Sequence, residues 1–187
     1  SWKLALAQVA ARQGQAEVAE KYIQELVKES PEWAPSYIFL SQLYLELGLP
    51  ELSKITVDQG ERNTESDERL RIQKGYISLN LHLDTEVKEV TEDIRSQERL
   101  SIAQRIFVAH SLMAQGEKTK AIEALGELPA NEPDRTKVQI GLFTLAMISK
   151  DMADLQNSAK SMEEISRRDP YGAYVYGTYL HHIVKNS

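Results

Sequence analysis

The segments RQGQAEVAE (residues 12–20), LELGLPELS (45–53) and MAQGEKTKAI (113–122) decide the fold of this chain. Each brings an apolar, helix-period pattern to a glycine, passes a short polar turn and restarts as a second helical pattern. Glycine enters left-handed backbone without a side-chain penalty, so Gly14, Gly48 and Gly116 are predicted to close one helix and turn into the next. Gly14 and Gly48 stand 34 residues apart, and Gly48 and Gly116 stand twice that apart, 68. The same step joins Leu4, Ile38, Ile72, Ile106 and Ile140, then Ala11, Leu45, Leu79, Met113 and Met147, then Ala19, Ser53, Val87, Ala121 and Leu155. Three columns in phase over five units define an internal repeat.

Apolar residues recur at helical spacing almost everywhere and strand signals are nearly absent, so each unit reads as two helices. The predicted pairs are 2–13 and 16–29, 35–47 and 50–62, 68–82 and 85–97, 101–115 and 118–128, and 136–149 and 152–167. Ser30-Pro31-Glu32 marks the first break, because proline cannot continue a helix, and Pro133 stands three steps after Pro31. A last helix is predicted over 172–185, after Asp169-Pro170.

A 34-residue helix–turn–helix resembles the tetratricopeptide repeat, and the individual residues carry the resemblance. Leu6-Ala7, Ala10, Gly14, Ala19, Ile23, Leu26 and Pro31 fill that family's places, as do Tyr37, Leu40-Ser41, Tyr44, Gly48 and Ser53. Val108-Ala109, Leu112, Gly116, Ala121, Leu125, Leu128 and Pro133 fill them again. The third unit departs most: His82 replaces the turn glycine, Lys74-Gly75 replaces Leu-Ala, and Glu65 stands where a closing proline belongs. The fifth has Lys150 at the glycine place. The resemblance implies an all-α, right-handed α-solenoid of about five repeats (1–33, 34–67, 68–100, 101–134, 135–170) plus a terminal helix, forming a single superhelical domain over 1–187. Neither helix of one unit can bury its apolar face alone, so stability must come from stacking. Small residues at Ala19, Ser53 and Ala121 are expected to let paired helices approach closely, and Val87 and Leu155 to space them wider.

In the family the concave face belongs to the first helices, and function lives there. Carried over by register, its fifth places are Leu4, Ile38, Ile72, Ile106 and Ile140, and its twelfth places include Leu45, Leu79, Met113 and Met147. Gln8, Gln42, Tyr76, His110 and Thr144 lie between them, four residues after one and three before the other, on a single helical stripe. Such a row suits an apolar or amphipathic protein or peptide segment. The competing reading is that these aliphatics are simply core. A clamp for an acidic chain terminus needs inward Lys, Arg and Asn, which these places lack. The asparagine ladder of sugar-transferring relatives is missing too, since its places hold Ala5, Phe39, Gln73, Phe107 and Gly141.

Other chemistries find little footing. The net charge is −6, with 22 Lys+Arg against 28 Asp+Glu and no long basic run, which argues against nucleic acid. There is no cysteine, no apolar run long enough to span a bilayer, no phosphate loop and no nucleophile elbow. His181 and His182 are neighbours on a predicted helix, about 100° apart, and cannot share a metal in the i, i+4 manner. The Glu-rich stretches Glu61 to Glu68 and Glu86 to Glu98 alternate with Arg and Lys and read as solvated faces. Tyr171, Tyr174, Tyr176 and Tyr179 crowd the last helix, as a cap or as a docking surface. No enzyme, cofactor or metal site is therefore expected. The chain opens inside an amphipathic pattern and reads as part of a longer protein, and nothing in it specifies a compartment. The expected function is a protein-interaction scaffold. Its rivals are a non-catalytic arm of a larger bacterial secretion, envelope-assembly or transferase protein, and self-association into a homodimer through open repeat ends.

Overall fold

The computed structural model describes residues 1–126, 131–148 and 152–186. Leu128 and Lys150 lie outside the described residues, as does the side chain of His182. Among the described residues are eleven α-helices and no strand. They are α1 (Trp2–Arg12), α2 (Ala16–Glu29), α3 (Ala34–Glu46), α4 (Pro50–Asn63), α5 (Glu68–Asn80), α6 (Asp84–Arg95), α7 (Ile102–Ala114), α8 (Lys118–Leu125), α9 (Glu132–Ile148), α10 (Met152–Ser166) and α11 (Pro170–Asn186). They form two compact units, Ser1–Asp93 and Ile94–Ser187.

The glycine turns form as the repeat predicts. Gly14, Gly48 and Gly116 adopt φ of 73°, 71° and 80°. At each, the next residue's N–H reaches back five residues to a helix carbonyl: Gln15 to Ala10 (2.9 Å), Leu49 to Tyr44 (2.8 Å) and Glu117 to Leu112 (2.9 Å). The glycine N–H itself donates to Ala11, Leu45 or Met113, each at 3.0 Å. These paired bonds absorb carbonyls that the helix end leaves open. His82 makes the same turn in the third repeat, with Leu83 bonded to Ser78 at 2.9 Å and φ of 55°. The Cβ of histidine makes that conformation costlier than it is for glycine.

Pro50 opens α4 as the sequence predicts, and it is Pro133 that departs from the expectation. Pro170 begins α11, and Pro133 lies inside the first turn of α9, which starts four residues ahead of the predicted 136. A missing N–H is harmless in the first turn, where no intrahelical acceptor exists. Asn131 supplies the cap that permits the early start, its Oδ1 accepting the N–H of Asp134 at 3.0 Å.

In the first unit, α1, α2 and α3 share a core of Ala7, Ala10, Ala19, Ile23, Leu26, Leu40, Leu43 and Tyr44. A second core joins α3, α4 and α5 through Ala34, Tyr37, Val57, Leu70 and Ile77. Ala19 and Ser53 are fully buried, and Ser53 Oγ donates to the Ser41 carbonyl at 2.8 Å, so the small column does bring paired helices close. Tyr37 is buried with its hydroxyl donating to the Pro31 carbonyl (2.8 Å) and accepting from Asn63 (2.9 Å). Gly60 makes room for it: a Cβ there would lie 2.9 Å from the Tyr37 Cβ.

The acidic stretches are not simply solvated. Glu61 and Glu86 are half-buried in a network that Lys74 organises. Lys74 lies 2.8 Å from Glu61, 3.6 Å from Asp58 and 3.7 Å from Glu86, while Lys54 lies 2.7 Å from Asp58 and 3.1 Å from Glu86. Arg71 joins Glu61 at 3.0 Å and also pairs with Asp93. The reason is the departure at position 74, where a cation replaces an aliphatic and recruits carboxylates from both neighbouring helices. Ion pairs hold the ammonium groups of Lys54 and Lys74 above their ordinary pKa, against a desolvation that works the other way.

In the second unit, α9, α10 and α11 share Ile140, Phe143, Ala146, Leu155, Met162, Ile165, Val175 and Tyr179. Ala121 is fully buried between α7 and α8, as its column requires. Of the four tyrosines on α11, Tyr179 is buried edge-on to Phe143 at 5.1 Å between ring centroids, and Tyr176 stacks on Tyr179 at 5.9 Å. Tyr171 and Tyr174 stack on each other at 6.4 Å and remain exposed. One face of the helix is thus packed into the core and the other meets solvent.

Candidate partner-binding row

The first helices α1, α3, α7 and α9 each bury one face against the second helix that follows, α2, α4, α8 and α10, and turn another toward the row picked out by register. On the first unit, Leu4, Ile38, Leu45, Ile72, Tyr76 and Leu79 are half-buried, and Gln8 and Gln42 are exposed. Leu4 leans on the first core, and Ile38 and Leu45 lean on the second. The helix period explains this intermediate state: residues one position away from the core stripe rest on it with one side and meet solvent with the other.

On the second unit, Ile106, His110, Thr144 and Met147 are half-buried. Met113 and Ile140 are sunk deeper, at 8% and 4% exposure. Thr144 spends its hydroxyl on the Ile140 carbonyl at 2.9 Å, which leaves its methyl as the outward chemistry. Met113 also borders a cavity of about 360 Å³ whose apolar wall is Ile122, Leu142, Leu145 and Ala146. Lys118 and Asp154, 3.5 Å apart, stand at its polar side.

Electrostatically the row is blank at neutral pH. His110 is its one titratable group apart from Tyr76, and desolvation lowers the imidazole pKa to about 4, so it stays neutral. This stripe of aliphatic, amide and neutral imidazole groups presents no cation.

The register extends one step beyond the row. The 34-residue step from Ile140, Thr144 and Met147 lands on Tyr174, Thr178 and His181 of α11, so the last helix is the first helix of a sixth unit. Tyr174 is 71% exposed there. The signal was available in the sequence, but tyrosine and histidine break the aliphatic run that made the column visible.

Among the described residues no group of three His, Cys, Asp or Glu is placed to hold a metal ion, and no helix is long and apolar enough to cross a membrane. No family model matches the sequence, and no curated protein matches it. Solved structures do. A kinesin light chain protein of Podosopora anserina with nearly identical TPR-like repeats superposes with a TM-score of 0.62 at 16% identity, covering 90% of this chain and 95% of that one. The crystal structure of MamA superposes with a TM-score of 0.59 at 12% identity, covering 88% of this chain and 96% of that one. Hairpins, turns, period and these likenesses agree: the chain has the all-α, helix–turn–helix repeat fold of the tetratricopeptide type.

Proposed function

We propose that this protein is an interaction scaffold that binds segments of another protein along the first-helix row of each unit, without catalysis of its own. The observation that carries the reading is the half-buried aliphatic column, Leu4, Ile38 and Ile72 on one unit and Ile106 on the other. Aliphatic groups already pressed against a core on one side lose little conformational entropy when a partner covers the other, so their burial is available as binding energy. Gln8 and Gln42, both exposed, supply hydrogen-bonding groups that fix orientation, and Met147 adapts to irregular surfaces. The fitting partner is an apolar or amphipathic segment, laid as a helix or in extended form.

The test is retention of a partner by immobilised protein, identified by mass spectrometry, followed by Ile72→Asp and Ile106→Asp singly and together. Each substitution is expected to weaken binding of that partner about tenfold or more, since a charge must be desolvated against apolar contacts. Circular dichroism should show unchanged helicity. A double variant that retains the partner with unaltered affinity would remove the row as the binding site.

A further inference from the structure

We propose that the junction of α4, α5 and α6 in the first unit is an ionic-strength-dependent latch, in which α6 is held by carboxylates near both of its ends and lifts first when their charges are screened. Glu86, in the first turn of α6, reaches Lys54 of α4 at 3.1 Å, Lys74 of α5 at 3.7 Å and the hydroxyl of Ser78 of α5 at 2.7 Å. Asp93, in the last turn, pairs with Arg71 of α5, which in turn holds Glu61 of α4. Three cations and four carboxylates thus alternate across three helices.

The seam is peculiar to this repeat. The place of Lys74 is held by Leu6, Leu40, Val108 and Leu142 in the other units, and apolar contacts do not weaken when mobile ions are added. The side chains of Lys74 and Glu86 keep 21% and 22% of their surface open, so mobile ions can reach them. The screening length falls from about 10 Å at 0.1 M salt to about 3 Å at 1 M, comparable with the separations in the network. The turn that precedes α6 adds to the bias. His82 holds φ of 55° where three other repeats place glycine, so opening this hairpin releases backbone strain that their opening does not. Against these, Val87, Val90 and Thr91 keep the helix seated while the charges are unscreened.

Hydrogen–deuterium exchange of the full chain, read by mass spectrometry at about 0.05 M and about 1 M sodium chloride, tests the latch. Amides of residues 84–93 are expected to exchange about fivefold faster or more in high salt, while α2 keeps its protection. Lys74→Met, which restores an apolar chain of similar length, should cut the salt response of α6 by about half or more, the Arg71–Asp93 pair keeping the remainder. Glu86→Gln should do the same and serves if the first variant fails to fold. His82→Gly should slow exchange of α6 at both salt concentrations and leave their ratio unchanged. The proposal is overturned if α6 shows no salt response, if α2 accelerates equally, if Lys74→Met or Glu86→Gln folds and keeps the full response, or if His82→Gly alone removes it.

Discussion

At the scale of single residues, stability in this protein turns on a few exchanges between columns of the repeat. Position 60 is glycine where Leu26 and Ile94 stand one step away on either side, and position 37 is tyrosine where Lys3 and Arg71 stand. The large ring and the missing side chain are one packing decision. Replacing Gly60 with Ala gains helix propensity but drives a methyl to 2.9 Å from the Tyr37 Cβ. Overpacking of this kind outweighs the propensity gain, and a net loss of about 1–2 kcal/mol is expected, read as a lower urea midpoint with unchanged slope. A midpoint at or above that of the parent would show that α3 and α4 can part at no cost. His110 contributes a pH dependence in mildly acidic solution. Its folded pKa of about 4 lies below the 6.5 of the free side chain, so the unfolded chain binds the extra proton between those values. Stability from this group is therefore complete above about pH 6.5 and declines as pH falls toward 4, by roughly 2 kcal/mol at pH 5. The comparison is between parent and His110→Gln urea midpoints at pH 7.5 and 5. Equal pH slopes would mean that the imidazole titrates normally.

At the scale of elements, the helices differ in how their ends are secured. The first helices from α5 onward carry side-chain caps: Asp67 on α5, Ser101 on α7, Asn131 on α9 and Asp169 on α11. The α7 cap is reciprocal, since Ser101 Oγ accepts the Gln104 N–H at 3.2 Å and Gln104 Oε1 accepts the Ser101 N–H at 2.8 Å. Gln104 then donates to Gln97 at 2.8 Å, tying the start of α7 to the chain before it. Ser101→Ala is expected to cost about 1 kcal/mol and to raise hydrogen exchange in the first turn of α7. Exchange confined to the parent rate there would mean that the glutamine alone holds the end. How much of this was legible depends on whether the signal was local. The glycine turns, the helix pairs and most boundaries followed from short stretches of sequence. The early start of α9 did not, because a proline can either end a helix or sit in its first turn, and the Asn131 cap decides between the two. The Lys74 departure was visible as an anomaly, but its consequence depended on Asp58, Glu61 and Glu86, which lie on two other helices.

At the scale of the whole molecule, the repeat divides what a sequence can specify from what it cannot. A strict 34-residue period requires every unit to satisfy the same local pattern, so the hairpin, its turn and its buried column at Ala19, Ser53 and Ala121 recur wherever the residues do. The same period places the candidate row on the first helices, because residues three and four apart must share a face. Depth is another matter. Ile106 and Ile140 hold identical register places, yet Ile106 is half-buried and Ile140 is core. The acidic stretches of α4 and α6 look alike on paper, yet part of each is locked into a charged seam and the rest meets solvent. Periodicity by itself determined the fold class, the hairpins and the choice of face, since these follow from hydrogen bonds and apolar spacing within a few turns of chain. Only the tertiary structure decided burial along that face and the partners of each charge, because both depend on side chains that approach from other helices and leave no trace in local spacing.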